Sequence, residues 1–134
     1  MVLPFEKKYR EDYYKLLDGV FDSDMWSDGE MQRKFEGMFK NFTGIESRAV
    51  SSGGAGLLAI LDYIGVKGMD VVVPANTFWA TAQAVNKAGG NVVYADCNKN
   101  DLCMSLESLE EVITENTKAV IIVHIGGHIA FQVE

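Results

Sequence analysis

Short apolar, β-branched runs alternate with segments of helical spacing along this sequence, and that alternation narrows the possible folds more than any other feature. Ala49-Val50, Val71-Val72-Val73, Val92 to Ala95 and Ala119 to Val123 read as strands, because such residues suit a pleated, half-buried surface. Between these runs Leu57, Leu58, Ile60, Leu61 and Ile64 recur at helical steps. So do Ala80, Ala84, Val85 and Ala88, small enough for close packing on a sheet, and Leu106, Leu109, Val112 and Ile113 behind the candidate cap Ser105. Four alternations of strand and helix, joined by right-handed crossovers, predict an α/β architecture: a mostly parallel sheet with helices on both faces.

The punctuation agrees with that division. Gly65 and Gly68 end the first of these helices and Gly89-Gly90 the second. Pro74 closes the valine run, since proline has no N–H to give to a ladder. Upstream, residues 11–17 suit a short helix, and Met31, Phe35, Met38, Phe39 and Phe42 fall on one face of another that Gly44 stops. Residues 1–134 are expected to be a single domain or one piece of a larger one, with residues 1–25 as its N-terminal helical segment and residues 26–134 as the remainder. The last segment, Ile125 to Glu134, has turn glycines followed by no capping or terminating signal, and the chain is expected to stop within an element.

Composition removes several classes of function. A net charge of −7 argues against nucleic acid, which is held chiefly by lysine and arginine. No apolar run approaches the length of a membrane span, Ala119 to Val123 being among the longest. The first residues carry no basic stretch followed by an apolar core, so the cytoplasm is the expected address. Cys97 and Cys103, without a second pair or a histidine at zinc-finger spacing, read as reduced thiols. His124 and His128 are four apart, but Gly126-Gly127 between them breaks helical geometry and no acidic partner stands near, so no metal role is expected.

Two stretches could carry chemistry. In Ser51-Ser52-Gly53-Gly54-Ala55 the glycines let the backbone approach a ligand, and the first amides of the following helix point outward at the positive end of its dipole, a good seat for an anion such as phosphate. The same residues could also simply cap an ordinary strand-to-helix turn. The dinucleotide and nucleotide-triphosphate glycine fingerprints are both missing. In Val73-Pro74-Ala75-Asn76-Thr77-Phe78-Trp79 two aromatics follow a strand's C-terminal end, where open parallel sheets bind ligands; either could present a flat face to a ring or fill the gap between helix and sheet.

The order of these pieces is more specific than any one of them. Phe35-Glu36 and Phe39 precede Thr43-Gly44; then come Ala49-Val50-Ser51-Ser52-Gly53-Gly54-Ala55, Asp70 to Pro74, Thr77-Phe78-Trp79-Ala80-Thr81-Ala82, Val92 to Asp96, and Thr117-Lys118-Ala119 through His124. From about Trp26 to Gly126 the chain resembles the DegT/DnrJ/EryC1/StrS family, the pyridoxal-phosphate-dependent aminotransferases of nucleotide-linked sugars. The resemblance implies an incomplete aspartate-aminotransferase-type (fold type I) large domain, with pyridoxal 5'-phosphate as cofactor. It further implies a nucleotide-linked keto sugar and an amino donor such as glutamate as partners, and a homodimer. Carried over by position, it puts phosphate contacts on Gly53 and Gly54 and the ring stack on Phe78, with Trp79 as the fallback.

Two departures from the family pattern matter. The family usually has threonine where this chain has Gly54, so a hydroxyl contact to phosphate is lost while the amide remains. The family's aspartate for the pyridine nitrogen and its Schiff-base lysine both match positions beyond Glu134, and Lys87, Lys99 and Lys118 look like solvated charges. The expectation is a truncated chain, inactive alone. A non-catalytic binding or assembly module built on the same fold is the alternative, and a small doubly wound nucleotide-binding domain is a third possibility weakened by the missing fingerprint.

Overall fold

In a computed structural model, the structure describes residues 6–131. It divides into two compact units, Met1–Ala49 and Val50–Glu134.

In the first unit a 3-10 turn at Lys7–Tyr9 leads into helix α1, Arg10–Asp22, and α2 spans Glu30–Thr43. Helix α2 ends at Gly44, whose φ of 76° lies in the left-handed region and whose N–H donates to Lys40 O at 2.7 Å. The aromatic and apolar residues expected on one face of α2 are there, but Phe35, Met38, Phe39 and Phe42 remain exposed and Met31 is only half-buried. What is buried on α2 is a charge, Glu36.

The second unit holds α3 (Gly53–Ile64), β1 (Asp70–Pro74), α4 (Trp79–Lys87), β2 (Asn91–Ala95), α5 (Leu106–Val112) and β3 (Thr117–Val120), then a 3-10 turn at Ile125–Gly127. The sheet is parallel with strand order β2-β1-β3, so β1 is central. Alternation along the strands sorts the core into two layers. Val71 and Val73 pack with Leu61, Val66, Ala84 and Val85 beneath α3 and α4. Val72 points the other way, onto Ala95, Met104 and Leu109 beneath α5. Helices therefore cover both faces, as right-handed crossovers require when β1 to β2 and β2 to β3 run in opposite directions across the sheet.

Two strand expectations need correction. Ala49-Val50 is not a strand: residues 46–50 pair with no ladder, and the Ala49 N–H is taken by the Glu36 carboxylate. The described residues thus contain three strands rather than four. The run from Ala119 to Val123 is a strand only as far as Val120, although Ile121 N–H still donates to Val72 O at 2.8 Å. The next ladder bond would start from the amide of residue 74, and Pro74 has none. The residue that closes β1 also shortens β3.

Candidate functional site

The starts of α3 and α4 lie at one end of a shared cavity of about 570 Å³ in the second unit. Its lining includes Ser52, Gly53 and Gly54 from α3 and Phe78, Trp79 and Gln83 from α4 and its approach. Both predicted stretches therefore meet in one place.

Helix α3 begins at Gly53, four residues before the apolar periodicity starts, so the two glycines are its first turn rather than a turn ahead of it. Ser52, extended at φ −165° and ψ 162°, is the N-cap: its Oγ accepts the Ala55 N–H at 3.1 Å and its carbonyl accepts the Gly56 N–H at 3.1 Å. The Gly53 and Gly54 amides precede the first intrahelical donor and have no partner among the described residues. A Cβ on Gly53 would meet nothing within 4 Å, and one on Gly54 would meet only Ala80 Cβ at 3.5 Å and Ser52 Oγ at 3.8 Å. Neither glycine is crowded by its neighbours, and both line the cavity.

Phe78 follows the C-terminal end of β1 and is the N-cap of α4. Phe78 is 67% exposed and Trp79 63%, with ring centroids 5.4 Å apart and planes at 51°. Neither ring fills the space between helix and sheet, which Thr81, Ala84 and Val85 occupy instead.

Sequence reasoning overlooked several residues here. Gln83 and Lys87 line the cavity with Trp79, at the i, i+4, i+8 spacing that puts all three on one face of α4. Lys87, expected to be a solvated charge, is exposed and also part of this wall; Lys99 and Lys118 are exposed and lie outside it. Asn76 ties the β1 loop to the β2 loop, its N–H reaching Cys97 Sγ at 3.4 Å and its side chain Leu102 O at 3.2 Å. The two cysteines are free, Cys103 buried and Cys97 partly so. His124 Nδ1 accepts the Ala130 N–H at 3.1 Å, a local structural bond.

Fold and cavity define an α/β domain with open helix-start donors beside an exposed aromatic. The model of the DegT/DnrJ/EryC1/StrS aminotransferase family matches residues 7–134, and the chain belongs to that family. It is 33% identical over 123 residues to GDP-4-keto-6-deoxy-D-mannose 3-dehydratase of Escherichia coli O55:H7, covering 86% of this chain and 32% of that protein. It is 32% identical over 121 residues to 3-oxo-glucose-6-phosphate:glutamate aminotransferase of Bacillus subtilis, covering 87% and 27%. Among solved structures, NtdA from Bacillus subtilis with bound cofactor PMP superposes with a TM-score of 0.82 at 30% identity, over 92% of this chain and 29% of that one. The chain thus spans about a third or less of these relatives. The expected fold class holds: this is the helix-flanked parallel sheet of the pyridoxal-phosphate-dependent aminotransferases, in part. No helix among the described residues is long and apolar enough to cross a membrane.

Proposed function

We propose that this chain supplies the phosphate-binding and ring-stacking part of a pyridoxal-phosphate-dependent aminotransferase acting on a nucleotide-linked keto sugar, with an amino donor such as glutamate. The observation that carries this reading is that Gly53 and Gly54, whose amides have no partner among the described residues, line the same cavity as Phe78. Pyridoxal phosphate presents an anion and a flat ring, and the donor set fits both, because helix-start amides favour phosphate and an exposed aromatic offers a stacking face. The volume, about 570 Å³, leaves room beyond a single small ring.

When bound, the cofactor supplies an electron sink at the carbon that bears the amine. The protein's own share is binding and orientation. Gly53 and Gly54 N–H groups donate to the phosphate, and Ser52 keeps them available by spending its hydroxyl on Ala55. Phe78 covers one face of the ring and excludes water there; Trp79 takes the stack if the cofactor enters from the other side of the pair. The reaction also needs a lysine amine bonded to the cofactor. We assign none of Lys87, Lys99 and Lys118 to that role, so this chain should hold cofactor without turnover. A dehydratase acting on the same class of sugar is the second reading, favoured by the Escherichia coli relative.

The test is a titration with pyridoxal 5'-phosphate, followed by tryptophan fluorescence and cofactor absorbance, with inorganic phosphate as competitor. Saturable binding that phosphate displaces, and that Phe78→Ala weakens by about fivefold through loss of the stack, is the expected result. Binding that is indifferent to both phosphate and Phe78 overturns the reading.

A further inference from the structure

Helix α4 starts in an unusual way. Its N-cap is Phe78, which makes no side-chain cap bond, where serine, threonine, aspartate or asparagine would normally satisfy a first-turn amide. A position that breaks the local rule is often one given over to function. Two threonines lock the helix start instead. Thr81, 6% exposed, donates its N–H to Phe78 O at 2.9 Å, and its Oγ1 lies 2.9 Å from Thr77 Oγ1. A threonine inside a helix commonly turns its hydroxyl back to the carbonyl four residues before it. Here the partner is the side chain of residue i−4, and that residue lies outside the helix. Thr81 therefore grips Phe78 directly by its own peptide and indirectly through the residue in front of it.

We propose that Thr81, through its hydroxyl bond to Thr77, is a positioning residue that fixes Phe78 as a stacking face for the cofactor ring. This rests on the reading of Phe78 given above. A ring on a loop contributes to binding only to the extent that its orientation is set beforehand, because otherwise binding must order it. The buried Thr81 hydroxyl has no other partner among the described residues, so removing Thr77's hydroxyl strands it, and removing its own frees the side chain of Thr77, the residue directly before Phe78.

The experiment compares Thr81→Val, which keeps the shape and deletes the hydroxyl, with Thr81→Ser, which keeps the hydroxyl, and with Thr77→Val, in the 134-residue chain. Each is titrated with pyridoxal 5'-phosphate and, separately, with inorganic phosphate, which has no ring. Thr81→Val and Thr77→Val should each weaken pyridoxal phosphate by about fivefold, the worth of one net hydrogen bond. Inorganic phosphate should stay within about twofold, Thr81→Ser should bind like the parent, and the double valine variant should be no worse than either single one. Equal loss of both ligands, or no loss in either valine variant while Phe78→Ala weakens binding, overturns the positioning role and leaves the site reading intact. If Phe78→Ala also changes nothing, both fall. Should Thr81→Val not fold, Thr77→Val and Thr81→Ser decide the matter, since Thr77 is only partly buried.

Discussion

The Glu36 carboxylate accepts the backbone N–H of Ala49 at 2.8 Å. It also accepts from Gln32 Nε2 at 3.1 Å and faces Arg48 at 3.5 Å. The Ala49 bond first, then Gln32 and the cations Arg48 and Arg33, hold this carboxyl below its ordinary value of 4.5 against the opposing effect of desolvation. A carboxyl whose folded pKa is depressed stabilises the fold above its unfolded value and loses that contribution as pH falls through the folded one. Ala49 should therefore keep its amide protection from neutrality down to about pH 5 and lose it below 4.5, as read by hydrogen exchange or the amide chemical shift. Glu36→Gln should abolish that acid transition. A midpoint above 4.5 in the parent chain would contradict the assignment.

Three small substitutions in the second unit should separate capping from packing. Ser52→Ala removes the acceptor for Ala55 N–H and should cost about 1 kcal/mol. Gly90→Ala puts a Cβ at 3.1 Å from Val85 Cγ1 and 3.2 Å from both Val66 Cγ2 and Val66 O. Since Val66 and Val85 are fully buried, it should cost about 1–3 kcal/mol by overpacking. Gly53→Ala meets nothing within 4 Å and should be neutral or slightly stabilising. Urea melts of the three variants rank them, and Gly53→Ala proving the worst would refute the account.

What could be read from the sequence follows from how local each cause is. The helices α2 to α5 and the strands β1 and β2 are set by periodicity and by adjacent glycine or proline, and these appear within a residue or two of their expected limits at most ends. Ala49-Val50 failed because its fate depends on a carboxylate thirteen residues earlier, which no propensity encodes. β3 ended early because of a proline on another strand. Within the candidate site, Gly53, Gly54 and Phe78 stand out by residue type alone as suited to a phosphate and a ring, and the fold brings them to one cavity. The Thr77–Thr81 hydroxyl pair and the Asn76 bond to Leu102 do not stand out, because they exist only once the chain is folded.

Replacing Gly54 by threonine, the residue that the family resemblance leads one to expect there, should give a gain rather than a loss. The contacts awaiting a Cβ there are ordinary ones, 3.5 Å to Ala80 Cβ and 3.8 Å to Ser52 Oγ, and the position lies in the first turn of α3. Gly54→Thr should fold and add a hydroxyl beside the open amides, tightening phosphate binding about fivefold or more if the hydroxyl reaches the anion. Gly54→Ala, which adds the Cβ without the hydroxyl, should leave phosphate binding unchanged. Isothermal titration with phosphate distinguishes them; equal behaviour of the two variants would place the anion elsewhere.

The chain alone should associate and should not transaminate. β2 and β3 each pair only with β1, so each presents a free edge among the described residues. Tyr94 on β2 and Ile122 just after β3 are exposed beside those edges. Unpaired edges flanked by apolar side chains favour pairing with another copy, and a lysine placed on an edge opposes it. Light scattering should show a mass that rises with concentration toward a dimer in the parent chain and stays lower in Tyr94→Lys. A monomer at every concentration would defeat the association claim. The same samples, mixed with pyridoxal 5'-phosphate and dialysed, should lose the cofactor's absorbance, because phosphate and ring contacts without a bonded lysine give reversible binding. An absorbance band that survives dialysis would mean that a lysine of this chain has reacted with the cofactor. Lys87, which already lines the cavity, would then be the first position to replace.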